Sequence, residues 1–176
     1  AGFTHWAKLN NLKQAAKTMN FLTEHGISSY GELESKLTAV SARRDTAHAE
    51  IKRIESRSAE LALVMKHAGT YRQLKPLYDR YRKSNDKEKF LRGHESEIIL
   101  FEAAARELKR LGAVPLPTTE SMKTELANLT AEKERLLAEY KAARTEAQEY
   151  DTVKQNVDAL LTVPKEQEQQ RRHELE

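Results

Sequence analysis

Two stretches of this chain place apolar or half-apolar residues alternately four and three positions apart. The first runs Leu33, Leu37, Val40, Arg44, Ala47, Ile51, Ile54, Ser58, Leu61, Met65, Ala68. The second runs Met122, Leu126, Leu129, Lys133, Leu136, Tyr140, Ala143, Ala147, Tyr150, Lys154, Val157, Leu161. A mean spacing of 3.5 residues keeps one seam of a helix turned toward a partner helix. At about 1.5 Å of rise per residue, each seam is on the order of 50–60 Å long. Two arms of nearly equal length predict an all-α fold, a long antiparallel coiled-coil hairpin. An intramolecular pairing requires opposing residue numbers to sum to a constant of roughly 190. That register sets Leu33 near Leu161, Ala68 near Met122, Ser58 opposite Lys133, and Arg44 opposite Ala147, where its stem has room to lie flat and its head to reach water. The same seams also fit a homodimer.

The flanking segments read as helices too. Leu9, Leu12, Ala16, Met19 and Leu22 make a stripe over Thr4–His25, predicted to dock against the base of the hairpin beside Leu33 and Val157. Gly26 stands where a helix C-cap belongs, and Ser29 with Glu32 forms a capping-box pair. Gly69 is expected to loosen the first arm, and Pro76 to kink it or open a new helix near Lys75. Asp86 is the N-cap candidate of the next helix, Gly93 a break, Gly112 a second C-cap, and Thr118 the cap of the second arm. That arm is expected to stop before Pro164. The division that follows is an N-terminal helix at the base (1–27) and a hairpin (28–162) with arms 30–68 and 119–162 and a small helical, basic tip at 69–117. Residues 163–176 are then a disordered tail, a frayed helix or an expression remnant. A start at Ala1-Gly2 and an end at Leu175-Glu176 read as cuts in a longer protein.

Composition narrows the chemistry. With 32 % charged and 6 % aromatic residues, the chain suits solvated helices with a narrow apolar stripe. It has no cysteine, which excludes disulfides and thiolate metal sites. No apolar run is long enough to span a membrane and no signal peptide is visible, so a cytoplasmic setting is the default. The six histidines have neither the i,i+4 nor the His-x-His spacing of a metal pair, and no nucleophile has a base at fixed spacing. The reading is of a chain with no cofactor and no catalytic site.

Charge singles out one segment. The net charge is only +3, yet residues 66–92 hold nine Lys or Arg against three acids. Tyr71, Tyr78, Tyr81 and Phe90 are interleaved with them. Aromatic faces can stack unpaired bases and cations can follow a phosphate chain. Arg72, Lys75, Arg80, Tyr81, Arg82, Lys83, Lys87, Lys89 and Arg92 are therefore the candidate nucleic-acid-binding residues. The helical spacing of Tyr71, Leu74, Tyr78 and Tyr81 fits core tyrosines equally. Trp6 with Lys8, Lys13 and Lys17 fits either a basic surface element or a packing anchor.

A family resemblance joins these observations. Trp6-Ala7-Lys8, Asn11-Leu12-Lys13-Gln14-Ala15-Ala16-Lys17-Thr18 and Phe21-Leu22-Thr23-Glu24-His25-Gly26-Ile27 are followed by Tyr78-Asp79-Arg80-Tyr81-Arg82-Lys83-Ser84, Lys89-Phe90, Leu116-Pro117-Thr118 and Val153-Lys154-Gln155-Asn156-Val157-Asp158. Their order resembles the region after the nuclease domain of relaxases, the mobilisation nucleases of conjugative plasmids and integrative elements of Gram-positive gut bacteria. The resemblance covers residues from about 2 to 162. It implies a C-terminal helical accessory domain that binds DNA, single-stranded in the first instance, or engages a coupling or secretion protein. Relaxases nick DNA through a tyrosine and a histidine-held metal in their N-terminal domain, and no tyrosine or histidine here matches those motifs. Asp86 and Glu88 make the segment 84–89 more acidic than a phosphate-tracking turn calls for.

Overall fold

The structure, a computed structural model, describes the backbone of residues 2–173 and the side chains of residues 11–161. The described residues form helices α1 (Gly2–Glu24), α2 (Tyr30–Lys83), α3 (Lys87–Arg110) and α4 (Thr119–His173), with no strand among them. The all-α class is thus the observed one. Contacts divide the chain into two compact units, residues 1–48 with 137–176 and residues 49–136. Helices α2 and α4 each contribute a portion to both.

In the first unit α2 and α4 run antiparallel. Tyr30 donates to Asp158 at 2.6 Å, Lys154 lies 3.9 Å from Glu34, and Arg43 pairs with Glu146. Each step forward on α2 is matched by a step back on α4, close to the expected register. Leu33, Val40, Ala147, Tyr150 and Val153 bury together with Ile27. Leu37 and Val157 pack at the margin of this core, whereas Leu161 is 58 % exposed and leaves the seam. Leu33 therefore meets Val157 rather than Leu161.

Helix α1 reaches this core through only the last residue of its predicted stripe, Leu22, joined by Phe21 and Thr18 from outside it. Leu12 and Met19 are 67 % and 59 % exposed, while Thr18 is 2 % exposed. Phe21 and Leu22 carry the apolar contact, with the Phe21 ring edge-on to Tyr150 at 5.1 Å. Asn156 on α4 donates its amide to the buried Thr18 hydroxyl at 3.2 Å, which removes the cost of burying a polar group. Trp6, Lys8 and Leu9 lie on α1, but their side chains fall outside the described residues.

The α1–α2 junction is built by local chemistry. Gly26 adopts φ 61°, and the N–H groups of Gly26 and Ile27 donate to the carbonyls of Thr23 and Leu22. This is a Schellman turn, and its apolar contact joins Ile27 to Leu22 in the core. Ser29 then caps α2 by accepting from the Glu32 N–H at 3.2 Å. Glu32 reaches back one residue further than a capping box requires, accepting from both the N–H and the hydroxyl of Ser28. These bonds hold the Glu32 carboxyl below its ordinary pKa.

In the second unit α2 also runs antiparallel to α4, with α3 packed on both. Glu55 pairs with Lys133 at 2.9 Å and Arg57 with Glu125 at 2.7 Å. Leu61, Val64 and Ala68 of α2 bury with Leu108 and Ala113 and with Met122 of α4. Ala68 thus meets Met122 as the register requires, and Ser58 and Lys133 are both half-buried. Gly112, at φ 68°, closes α3 with a second Schellman turn that folds Ala113 onto Leu108.

Two boundaries differ from expectation and a third is met. Helix α2 is unbroken through Gly69 and Pro76 to Lys83. Pro76 is exposed, on the face of α2 away from the half-buried Leu74, Leu77 and Tyr78. The break expected at Gly93 is present: α3 is two helical pieces meeting across a kink, with non-helical dihedrals at His94 immediately after Gly93. Helix α4 does not stop before Pro164 but continues to His173, and residues 174–176 lie outside the described residues.

Candidate nucleic-acid interface

The cationic segment occupies the last turns of α2, the connecting turn and the first turns of α3, all in the second unit. Its local structure is set by three residues. The Ser84 N–H donates to the Tyr81 carbonyl at 3.2 Å, ending α2. The Ser84 hydroxyl accepts from the Asp86 N–H, and Asp86 caps α3 by accepting from the Lys89 N–H at 2.9 Å. Arg80, Arg82 and Lys83 thus stand at the carboxyl end of α2, where positive charge offsets the helix dipole. The amino end of α3 already has its anion in Asp86, so no helix N-terminus is vacant for a phosphate.

The aromatic residues of the segment are committed to packing. The Tyr71 and Tyr78 rings stack on Phe101 of α3 at 4.8 and 4.2 Å. Tyr78 then meets Tyr81 at 5.9 Å, Tyr81 meets Phe90 at 6.0 Å, and Phe90 meets His94 at 4.9 Å. This ladder of rings pins the start of α3 to the end of α2. Tyr81 is half-buried within it and orients the turn that carries its neighbours.

The cations divide into two groups. Arg72 donates to the Thr119 hydroxyl at 2.7 Å and to the Pro117 carbonyl, tying α2 to the connector before α4. Lys75 pairs with Asp79 at 2.8 Å, one helical turn on, and that hydrogen bond raises its pKa. Arg80, Arg82, Lys83, Lys87, Lys89 and Arg92 are exposed and have no partner among the described residues. Six uncommitted cations therefore fall within thirteen residues, against Asp86 and Glu88. Tyr71 and Tyr78 stack on Phe101, whereas Tyr81 and Phe90 are only tilted against their neighbours, so what this surface chiefly offers is charge to phosphates. Such contacts fix position and affinity but carry no sequence information.

Among the described residues no group of three or more His, Asp or Glu is placed to hold a metal ion, and no helix is long and apolar enough to cross a membrane. The chain matches no family model, no curated protein and no solved structure.

Proposed function

We propose that this chain is a non-catalytic helical accessory domain of a conjugative relaxase, and that it holds DNA during mobilisation through the turn between α2 and α3. One observation carries the DNA contact: Arg80, Arg82, Lys83, Lys87, Lys89 and Arg92 crowd one ordered turn with no intramolecular partner among the described residues. Confining unpaired like charges raises the energy of the free protein, and a polyanion relieves it with release of counterions. The resemblance to relaxases supplies the context, including a cytoplasmic setting. A surface that chiefly offers charge makes the binding one of backbone phosphates, on single or double strands.

Fluorescence anisotropy with a labelled oligothymidylate, repeated across salt concentrations, tests the reading. Six phosphate contacts set a ceiling near −4 on the slope of log affinity against log salt, at roughly −0.7 per contact on single strands. Replacing Arg80, Arg82 and Lys83 together by Gln is expected to remove about 2 from the slope. Arg72→Gln, already committed within the fold, is expected to leave it unchanged. An absence of binding at low salt, or equal slopes for the wild type and the triple variant, would overturn the DNA reading.

A second reading, a module that recruits a coupling or secretion protein or a second copy, is favoured by Ile99 and Leu100. They stand 56 % and 55 % exposed on α3. Capture of such a partner should survive the turn substitutions and fail with Ile99→Lys.

A further inference from the structure

A second polar site lies in the first unit, away in sequence from the cationic turn. Arg44, Asp45 and His48 of α2 face Tyr140, Arg144 and Gln148 of α4 across a groove of about 380 Å³. Arg44 is the one charged residue in the seam of α2. It is itself half-buried, and the small Ala143 and Ala147, seam positions of α4 near its expected register, are buried. Arg44 lines the groove. Asp45 engages the Nε and Nη2 of Arg44, each at 2.8 Å, and leaves Nη1 uncommitted. Arg144, exposed on the facing helix, has no partner among the described residues. Neither do the side chains of His48, Tyr140 and Gln148 have a hydrogen-bond partner there, and the His48 and Tyr140 rings lie 5.6 Å apart.

The groove thus brings two guanidinium groups, a phenol, an imidazole and an amide together against a single carboxylate. Donors outnumber acceptors, and the net charge of the guanidinium and carboxylate groups is positive. A planar guanidinium matches a phosphoryl group through two parallel hydrogen bonds. We infer that this groove is a phosphate-binding site, in which Arg144 and Arg44 clamp the oxyanion and Tyr140 and Gln148 complete its hydrogen bonds. Asp45 orients Arg44 and competes with the ligand for it. The phosphoryl group can come from a free phosphate or monoester, or from a nucleic-acid backbone. The inference rests on residues outside the α2–α3 turn and stands whether or not that turn binds DNA.

The test is an NMR titration of the Arg Nε–H and His48 ring signals in the whole chain, made with inorganic phosphate and separately with a short oligothymidylate. Both the wild type and the Arg80, Arg82, Lys83 triple Gln variant are titrated, so that turn binding and groove binding are read apart. Saturable shifts at His48 and Arg44 are expected in both proteins. Arg144→Gln, at an exposed position, is expected to weaken phosphate about tenfold, and Asp45→Asn to strengthen it by freeing Arg44. Saturation by phosphate alone assigns the site to free phosphates or monoesters, and saturation by both ligands assigns it to backbone phosphates as well. No saturable shift with either ligand, or binding indifferent to both substitutions, overturns the site. Unchanged helical circular dichroism in each variant shows that lost binding is not lost folding.

Discussion

Leu33 and Leu161 occupy equivalent places in the sequence repeat and opposite places in the structure, so truncating each to alanine tests the packing directly. Leu33 is 1 % exposed, enclosed by Ile27, Val40, Tyr150 and Val153, with Leu37 and Val157 at its margin. Removing its outer carbons forfeits about 0.8 kcal/mol per methylene, or about 2.5 kcal/mol in all, before any cavity is counted. A cavity adds to this, but the half-buried Phe21, Leu22 and Val157 around the site have room to collapse into it. The expected loss for Leu33→Ala is therefore about 3 kcal/mol, in the lower part of the usual range for buried leucines. Leu161, at 58 % exposed, has little transfer energy to lose, and Leu161→Ala is expected to stay within about 0.5 kcal/mol of the parent.

Urea denaturation followed by far-UV circular dichroism measures both variants. The comparison is made between midpoints at a common slope, because two compact units need not unfold as one. A loss in Leu161→Ala comparable to that in Leu33→Ala would show that the seam continues past Val157. The account of the first unit's core would then fail.

Other consequences are open to the same kind of measurement. Pro76→Ala restores a hydrogen bond within α2 at an exposed position and is expected to stabilise by about 1–3 kcal/mol, while Gly69→Ala, where an added Cβ meets nothing within 4 Å, gains at most about 1 kcal/mol. A loss of stability in Pro76→Ala would show that the helix needs a distortion there. Glu32 and Asp158 are both held below their ordinary pKa values of 4.5 and 3.8, Glu32 by the Ser28 N–H and Asp158 first by Tyr30. Their contributions are present above those values and disappear as pH falls through the lowered ones, so an acid titration should loosen the α1–α2 junction through Glu32 and the pairing of α2 with α4 through Asp158. Glu32→Gln is expected to flatten that acid limb, and an unchanged limb would remove the Ser28 bonds from the explanation.

What was legible in the sequence was local or periodic. Gly26, Ser29, Asp86, Gly112 and Thr118 all perform the capping roles their types suggest, because a cap is satisfied by atoms within a few residues. The seam from Leu33 to Val157 is buried or half-buried throughout because its period matches a helix facing a helix. Helix α1 escaped the same reasoning. An apolar stripe shows that a face could pack, and the leucine and methionine stripe competes with a face centred on Thr18. The contest is decided by Asn156, which lies 138 residues away and supplies the bond that lets a threonine be buried. No period within α1 contains that information.

The candidate site divides along the same line. Arg72 and Arg80 are indistinguishable as letters in a basic run. They differ because Thr119 and Pro117 approach one of them and nothing described approaches the other. Tyr81 likewise looks like a free face for a base until Tyr78 and Phe90 are placed against its ring. Arg44 and Arg144 are 100 positions apart in sequence, and only the antiparallel pairing of α2 and α4 brings them to one groove. The one early sign was a charged residue at a seam position facing alanines. A buried stem demands small neighbours, and small neighbours leave space beside the guanidinium. A charge in an apolar repeat, opposite residues too small to fill the layer, is therefore a place where a coiled coil has room for a ligand.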